Sequence, residues 1–264
     1  MLTRTVADTA AFLDVLAGYE PGDATWAPAP SEPFAAGAQR EPGRLRIAMT
    51  KLPPVADALV DPVCAQALDR AAEQLRALGH EVVEFDPPWL RADVGDVFGV
   101  VFASHVALLI AYSGRVAGRD PEAADMEPMS WAIYSMVASM GAIDQLSANV
   151  RLQSFAREVV AALEPYDALL TPALAQRPLE HGTLDTYAAD PMSTFTRSGL
   201  FTPFTPIVNA TGQPAISVPL YEGDDGLPLA VQIVGRPADE ATLLALSAQL
   251  EAALSWADRR PEDA

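Results

Sequence analysis

The sequence predicts an α/β protein, on three observations. A short apolar run at 45–49 is followed by a capped amphipathic helix and a second short run at 80–85, and strand–helix–strand at that spacing is a parallel βαβ unit with a right-handed crossover. Two apolar runs, 215–221 and 229–235, flank the turn EGDDG and read as an antiparallel hairpin. Hydrophobic residues make up 50% of the 264 positions, ample for a buried core.

Along the chain, residues 3–17 read as a helix capped by Thr3 or Thr5, with Val6, Ala10, Leu13 and Leu16 near one face and Gly18 as its end. Residues 19–43 hold Pro21, Pro28, Pro30, Pro33 and Pro42 and read as a surface loop without a core of its own. Asp61 caps the helix of the βαβ unit, and Pro62 sits in its first turn, where a missing N–H costs nothing. Leu68, Ala71, Leu75 and Leu78 make the buried stripe of that helix, and Gly79 closes it. Residues 93–163 read mostly as helix. Within them 97–116 is apolar on nearly all sides, which predicts burial around most of the circumference. Met126, Met129, Met136 and Met140 gather in the same segment and suit irregular helix packing. Asp144 reads as the cap of a long helix to Leu163, stopped by Pro165. Residues 167–171 form a strand ending at Pro172, and 173–198, without clear period, read as a long loop. Asp239 caps a last helix with Leu243, Leu246, Leu250 and Leu254 inside, before a polar, frayed tail at 258–264.

Charge and composition exclude several functions. A formal net charge of -18 argues against nucleic acid and anionic membrane surfaces, both of which select basic patches. No run approaches the roughly 18 apolar residues of a membrane span, because Gly99, Ser104 and His105 interrupt the longest one. The start shows no basic stretch leading into an apolar core, so no secretory signal is expected, and the sequon at Asn209 carries no weight without export. Cys64 is the only cysteine, which rules out a disulfide within one chain or a cysteine metal cluster and fits a reducing cytoplasm.

The candidate chemistry is sparse. His80, His105 and His181 stand at no metal-binding spacing, and neither a metal nor a cofactor site is expected. Ser104 and His105 are adjacent, but neighbours on a helix point apart, which suits a core histidine better than a Ser–His pair. Cys64 has no basic neighbour to lower its pKa and reads as inert. Ser217 lies inside a strand, where its hydroxyl should bond locally, and Asp224 and Asp225 read as a solvated hairpin tip. Lys51 closely follows a strand but reads as a surface residue.

The densest conformational punctuation lies at 201–220. Pro203 and Pro206 fix φ, residues 209–212 supply turn types, and Pro214 leads into the strand, so a rigid loop is predicted. The stretch NATGQPAISVPL, followed by GLPLAVQIVGRPADEATLLALSAQLE, resembles the C-terminal part of the amidase signature family. The opening LTRTVADTAAFLDVLAG resembles the segment that follows that family's catalytic core. The resemblance implies that residues 1–264 are a partial amidase domain: the C-terminal portion of an α/β/α fold with a mixed sheet and covering helices. The 19–43 loop, the 93–163 helical segment and the loop, hairpin and final helix of 201–254 are its parts. It further implies amide C–N hydrolysis by a Lys–Ser–Ser triad whose nucleophile lies in a Gly/Ser-rich stretch upstream of the segment resembling residues 2–18; the sequence has no such run. No catalytic residue is therefore assigned, and the chain alone is expected to be inactive. Its expected partners are the missing N-terminal part and a small-molecule amide. Phe201, Thr202, Phe204, Thr205 and Asn209 are the expected pocket wall, with residues 98–140 beside them. The alternative is a non-catalytic binding or interaction chain derived from an amidase.

Overall fold

In the computed structural model, which describes residues 1–55, 57–90 and 94–259, the βαβ unit forms as expected. Strand β1 (Arg46–Met49) pairs in parallel with β2 (Glu81–Glu84), joined by α3 (Pro62–Ala77). The Asp61 carboxylate accepts from Val63 N at 2.8 Å and caps α3. Strand β3 (Ala168–Pro172) runs parallel to β1 on its other side, Met49 opposite Leu170. The hairpin also forms: β4 (Ala215–Glu222) and β5 (Pro228–Gly235) are antiparallel, and β5 pairs antiparallel with β3. The sheet is mixed, in the order β2-β1-β3-β5-β4.

Alternation along the strands sends two sets of side chains to opposite faces. Ile47, Met49, Leu170, Val231 and Ile233 point to a core made with α3, α1 (Val6–Leu16) and α9 (Glu240–Leu254). Ala48, Leu169 and Val234 point the other way, to Phe155, Val159 and Leu163 of α6 (Ala142–Leu163), to Ile207 and to Trp89. The result is three layers, helices on both faces of one sheet. Thr5 caps α1, and its hydroxyl accepts from Asp8 N at 3.0 Å, while the Glu251 carboxylate on α9 takes Val6 N at 3.1 Å. Val6 and Ala10 are buried and Leu13 partly so, but Leu16 is exposed.

Several expectations need correction. The 19–43 segment does reach the core: α2 (Phe34–Gly37) buries Phe34. The Asp14 carboxylate on α1 accepts from Phe34 N at 2.6 Å and Ala35 N at 3.0 Å, satisfying a helix start whose own cap position is Pro33. Gly37 lets α2 approach α9 closely: a Cβ there would lie 3.1 Å from Ala241 Cβ, tight enough that one of the two must shift. Part of the supposed 173–198 loop is α7 (Pro191–Phe201), capped by Asp190 with Pro191 in its first turn, the same pair of signals that starts α3. The rigid loop at 201–214 contains α8 (Thr205–Thr211). Its prolines and glycine mark helix ends: Pro206 lies in the first turn, and Gly212 at φ +71° takes the left-handed position that closes the helix. Helix α6 starts from Gly141, with Asp144 in its first turn rather than at the cap. Residue 93, at the start of the predicted helical segment, and residues 260–264 of the predicted frayed tail lie outside the described residues.

The largest departure is α4 (Val94–Ala117). By length and composition it could cross a membrane. It is not buried around most of its circumference. Val97 and Val101 pack on Ala148 of α6, and Ala103 packs on Ile133 and Val137 of α5 (Pro128–Val137). The remaining face meets α7 where Phe102 stacks on Phe195, and beyond that it is open and carries Leu109, Tyr112 and Val116. The helices packed against it leave part of a 24-residue helix that is apolar all round uncovered. Of the four methionines, Met129 and Met140 pack into the α4–α5 contact, while Met136 is exposed.

Candidate functional site

Toward the C-terminal ends of the parallel strands, polar side chains replace apolar ones on one face. Thr50 follows β1, and its N–H donates to Leu170 O at 3.1 Å, which places it beside Thr171. Thr171 pairs with Gln232 on β5, and Gln232 pairs with Ser217 on β4. The pleat puts all four on the α6 side of the sheet, in one row across four strands. Gln232 Nε2 donates to Thr171 Oγ1 at 3.3 Å, and that hydroxyl donates to Pro172 O at 2.9 Å. Thr50, Thr171 and Gln232 are buried, whereas Ser217 at the end of the row is exposed, as is Ala215 on the same face of β4. Sequence reasoning missed this row, apart from noting Ser217. Its signal is a polar residue interrupting each apolar strand: the Thr of DALLT, the Gln of AVQIV, the Ser of AISVP.

Helix α8 lies over the same face, anchored by Ile207 against the cluster that holds Ala48, Leu169 and Val234. Phe201 ends α7, and its carbonyl accepts from Ala175 N at 3.1 Å, tying α7 to the segment after β3. Thr202 bonds back to Ser198 O through both its N–H and its hydroxyl, each at 3.0 Å, and Thr205 Oγ1 donates to Thr202 O at 3.2 Å. Phe204 is buried beneath this joint, with Phe201 and Thr202 half-buried. Thr205 and Asn209, four residues apart on α8, share its exposed face. The five expected wall residues therefore sit together at the α7–α8 joint: Thr205 and Asn209 exposed, Phe201 and Thr202 half-buried, and Phe204 buried.

Among the described residues no activated nucleophile is assembled. Ser104 Oγ and His105 Nδ1 bond separately to the carbonyls of Val100 and Val101, each at 2.8 Å, so they form no relay. His80 accepts from Leu45 N at its Nδ1 and meets Gln249 Oε1 through Nε2 at 2.8 Å, a structural role that ties β1 to α9. Lys51 turns to Asp69 on α3, 2.6 Å away, on the opposite side of the sheet from Thr50. Asp224 and Asp225 do not simply face solvent: Arg177 bridges to both. Among the described residues no three His, Cys, Asp or Glu side chains are grouped to hold a metal.

Burial, reinforced by Asp61, pushes the Cys64 thiol up to about 11. The thiol is thus fully protonated at pH 7–8, and iodoacetamide is expected to modify it only on unfolding. Because the folded value lies above the unfolded one, the contribution to stability is complete below about pH 9. It is lost as pH rises through about 11. Denaturant midpoints between pH 8 and 11 should fall more steeply for the natural chain than for Cys64→Ser; equal slopes would contradict this.

The architecture is that of a three-layer α/β protein: parallel strands continued by an antiparallel hairpin, with a neutral hydrogen-bonding row on one face. The family model described as Amidase matches residues 1–244, and the chain belongs to the amidase family. It is 35% identical over 270 residues to a 6-aminohexanoate-cyclic-dimer hydrolase of Paenarthrobacter ureafaciens, a match covering 99% of this chain and 55% of that one. It is also 35% identical to the putative amidase AmiB2 of Mycobacterium tuberculosis, over 98% of this chain and 53% of the relative. A solved 6-aminohexanoate cyclic dimer hydrolase superposes with a TM-score of 0.86 at 32% identity, over 98% of this chain and 55% of the other. A bacterial aryl acylamidase, at 22% identity and a TM-score of 0.79, shares the fold. The chain spans about half the length of the curated relatives it matches.

Proposed function

We propose that this chain is the C-terminal part of an amide C–N hydrolase, acting in the cytoplasm. It supplies the sheet, the helical cover and part of the substrate wall, while an N-terminal part outside it supplies the bond-breaking groups. The observation that carries this reading is the match of 98% of the chain to 55% of a solved hydrolase at a TM-score of 0.86. The absence of an assembled nucleophile among the described residues agrees with it.

In this reading Phe201, Thr202, Thr205 and Asn209 face the substrate, and Phe204 holds the α7–α8 joint in place. An amide presents one acceptor and one donor. Threonine hydroxyls and the asparagine carboxamide can serve both, whereas a charged wall would discriminate against a neutral group. A small neutral amide, linear or cyclic like the substrate named for the relatives, is the substrate class that fits. No cofactor is called on.

Alone, the chain is expected to release no ammonia or amine from simple aliphatic or aromatic amides above the buffer rate. The assay uses highly purified chain and the Lys51→Ala variant in parallel. Turnover by the chain that Lys51→Ala abolishes would overturn the reading and make Lys51 the reactive group.

A further inference from the structure

Two surfaces of this chain lack the cover their chemistry calls for, and both lie on the α6–α8 side of the sheet. The first is on α4, where Phe98, Phe102, His105, Leu109, Tyr112 and Val116 follow one another at alternating intervals of four and three residues. That spacing is the seam of one helix packed lengthwise on another. Phe102, 39% exposed, stacks on Phe195 of α7 at 5.8 Å, and beyond it the seam is open: Leu109 is 66% exposed, Tyr112 60% and Val116 73%. No Asp, Glu, Lys or Arg stands on it, in a chain of net charge -18. Its apolar area is on the order of 500 Å², taking 150–250 Å² for each aromatic side chain, at the upper end of what a free monomer shows. The second surface is the face of β4 at Ala215 and Ser217, where the buried row of Thr50, Thr171 and Gln232 comes into the open.

We propose that the catalytic part of the hydrolase docks on this side, along the α4 seam and against the bare face of β4. This rests on the functional reading above. The relatives carry close to half their length beyond what this chain matches, so a body of that size has to be seated somewhere. On the opposite side, α1, α2, α3 and α9 already cover the strands, including Val218 and Leu220 of β4. The exposed Phe12, Val15 and Leu16 of α1 lie outside that cover and leave no strand bare. A second copy is the poorer occupant, because two chains of charge -18 repel as they approach.

The probe is the part of the Paenarthrobacter ureafaciens hydrolase that this chain does not match, co-expressed with the full 264-residue chain and, separately, joined to it as one polypeptide. Hydroxyl-radical footprinting reads side-chain cover directly. Protection of Leu109 and Tyr112 is expected, with none at Val15. The double variant Leu109→Glu, Tyr112→Glu should weaken the co-expressed complex at least tenfold, and Val15→Glu less than twofold. All three positions are exposed, and thermal melts confirm that the variants fold. Protection confined to α1, or no complex in either form, would overturn the proposal. Protection of α4 in the chain by itself that rises with its concentration would assign the seam to a second copy. Binding to phosphatidylcholine vesicles abolished by the same substitutions would assign it to a lipid surface. Docking without amide hydrolysis would leave this inference standing and remove the functional reading, and hydrolysis with α4 unprotected would do the reverse.

Discussion

Ile233→Ala is expected to destabilise the chain by about 2–5 kcal/mol, the usual cost of cutting a buried branched side chain to alanine. Ile233 is fully buried on β5, between β3 and β4, in the core shared with α3 and α9. Neighbours on a paired strand cannot close the cavity without breaking the ladder. Against a total of roughly 5–15 kcal/mol for a typical domain, that loss is large enough to leave much of the chain unfolded at 37 °C. Leu109→Ala removes a similar volume from the open face of α4 and should change stability by less than about 0.5 kcal/mol. Urea titrations of the two variants check the pair; comparable losses would mean that the open face of α4 is covered in the isolated chain.

The second large effect concerns the uncovered surface. Shielding some hundreds of Å² of apolar area, at about 25 cal/mol per Å², stabilises by several kcal/mol. For a domain of this size each kcal/mol moves the melting temperature by about 2–4 °C. The joined polypeptide is therefore expected to melt on the order of 10 °C above the isolated chain, and the isolated chain to aggregate more readily through α4 and the edge of β4. Scanning calorimetry with size-exclusion chromatography checks this. A sharp, monodisperse transition that joining leaves unchanged would show the exposed surfaces to be self-sufficient.

The sheet was legible in the sequence because its signals are local. Asp61-Pro62, the apolar runs on either side, and the EGDDG turn each act within a few residues, and each formed as read. Helix α7 carries the same signal in Asp190-Pro191 and was hidden by a polar stretch without clear period. Helix α8 was hidden differently: prolines and a glycine that bound a seven-residue helix look, in sequence, like the markers of a loop. Helix α2 depends on Asp14, some twenty positions away on α1, and no local pattern reveals that. For α4 the apolar sequence correctly signalled a need for cover but not where the cover comes from. The expected wall residues lie within nine positions of one another and so share one joint, whereas the Thr171–Gln232 contact comes from strands 61 positions apart and is visible only once β3 and β5 are paired.

The most direct measurement of the central claim is amide hydrolysis by three samples at equal concentration: this chain, the unmatched part of the Paenarthrobacter ureafaciens hydrolase, and the two joined as one polypeptide. The substrates are the 6-aminohexanoate cyclic dimer and a simple aromatic amide. If this chain completes an amide hydrolase, only the joined protein turns over substrate, and Thr205→Ala with Asn209→Ala changes its KM or its choice between the two amides. A folded joined protein without turnover, or turnover by this chain alone, would contradict it.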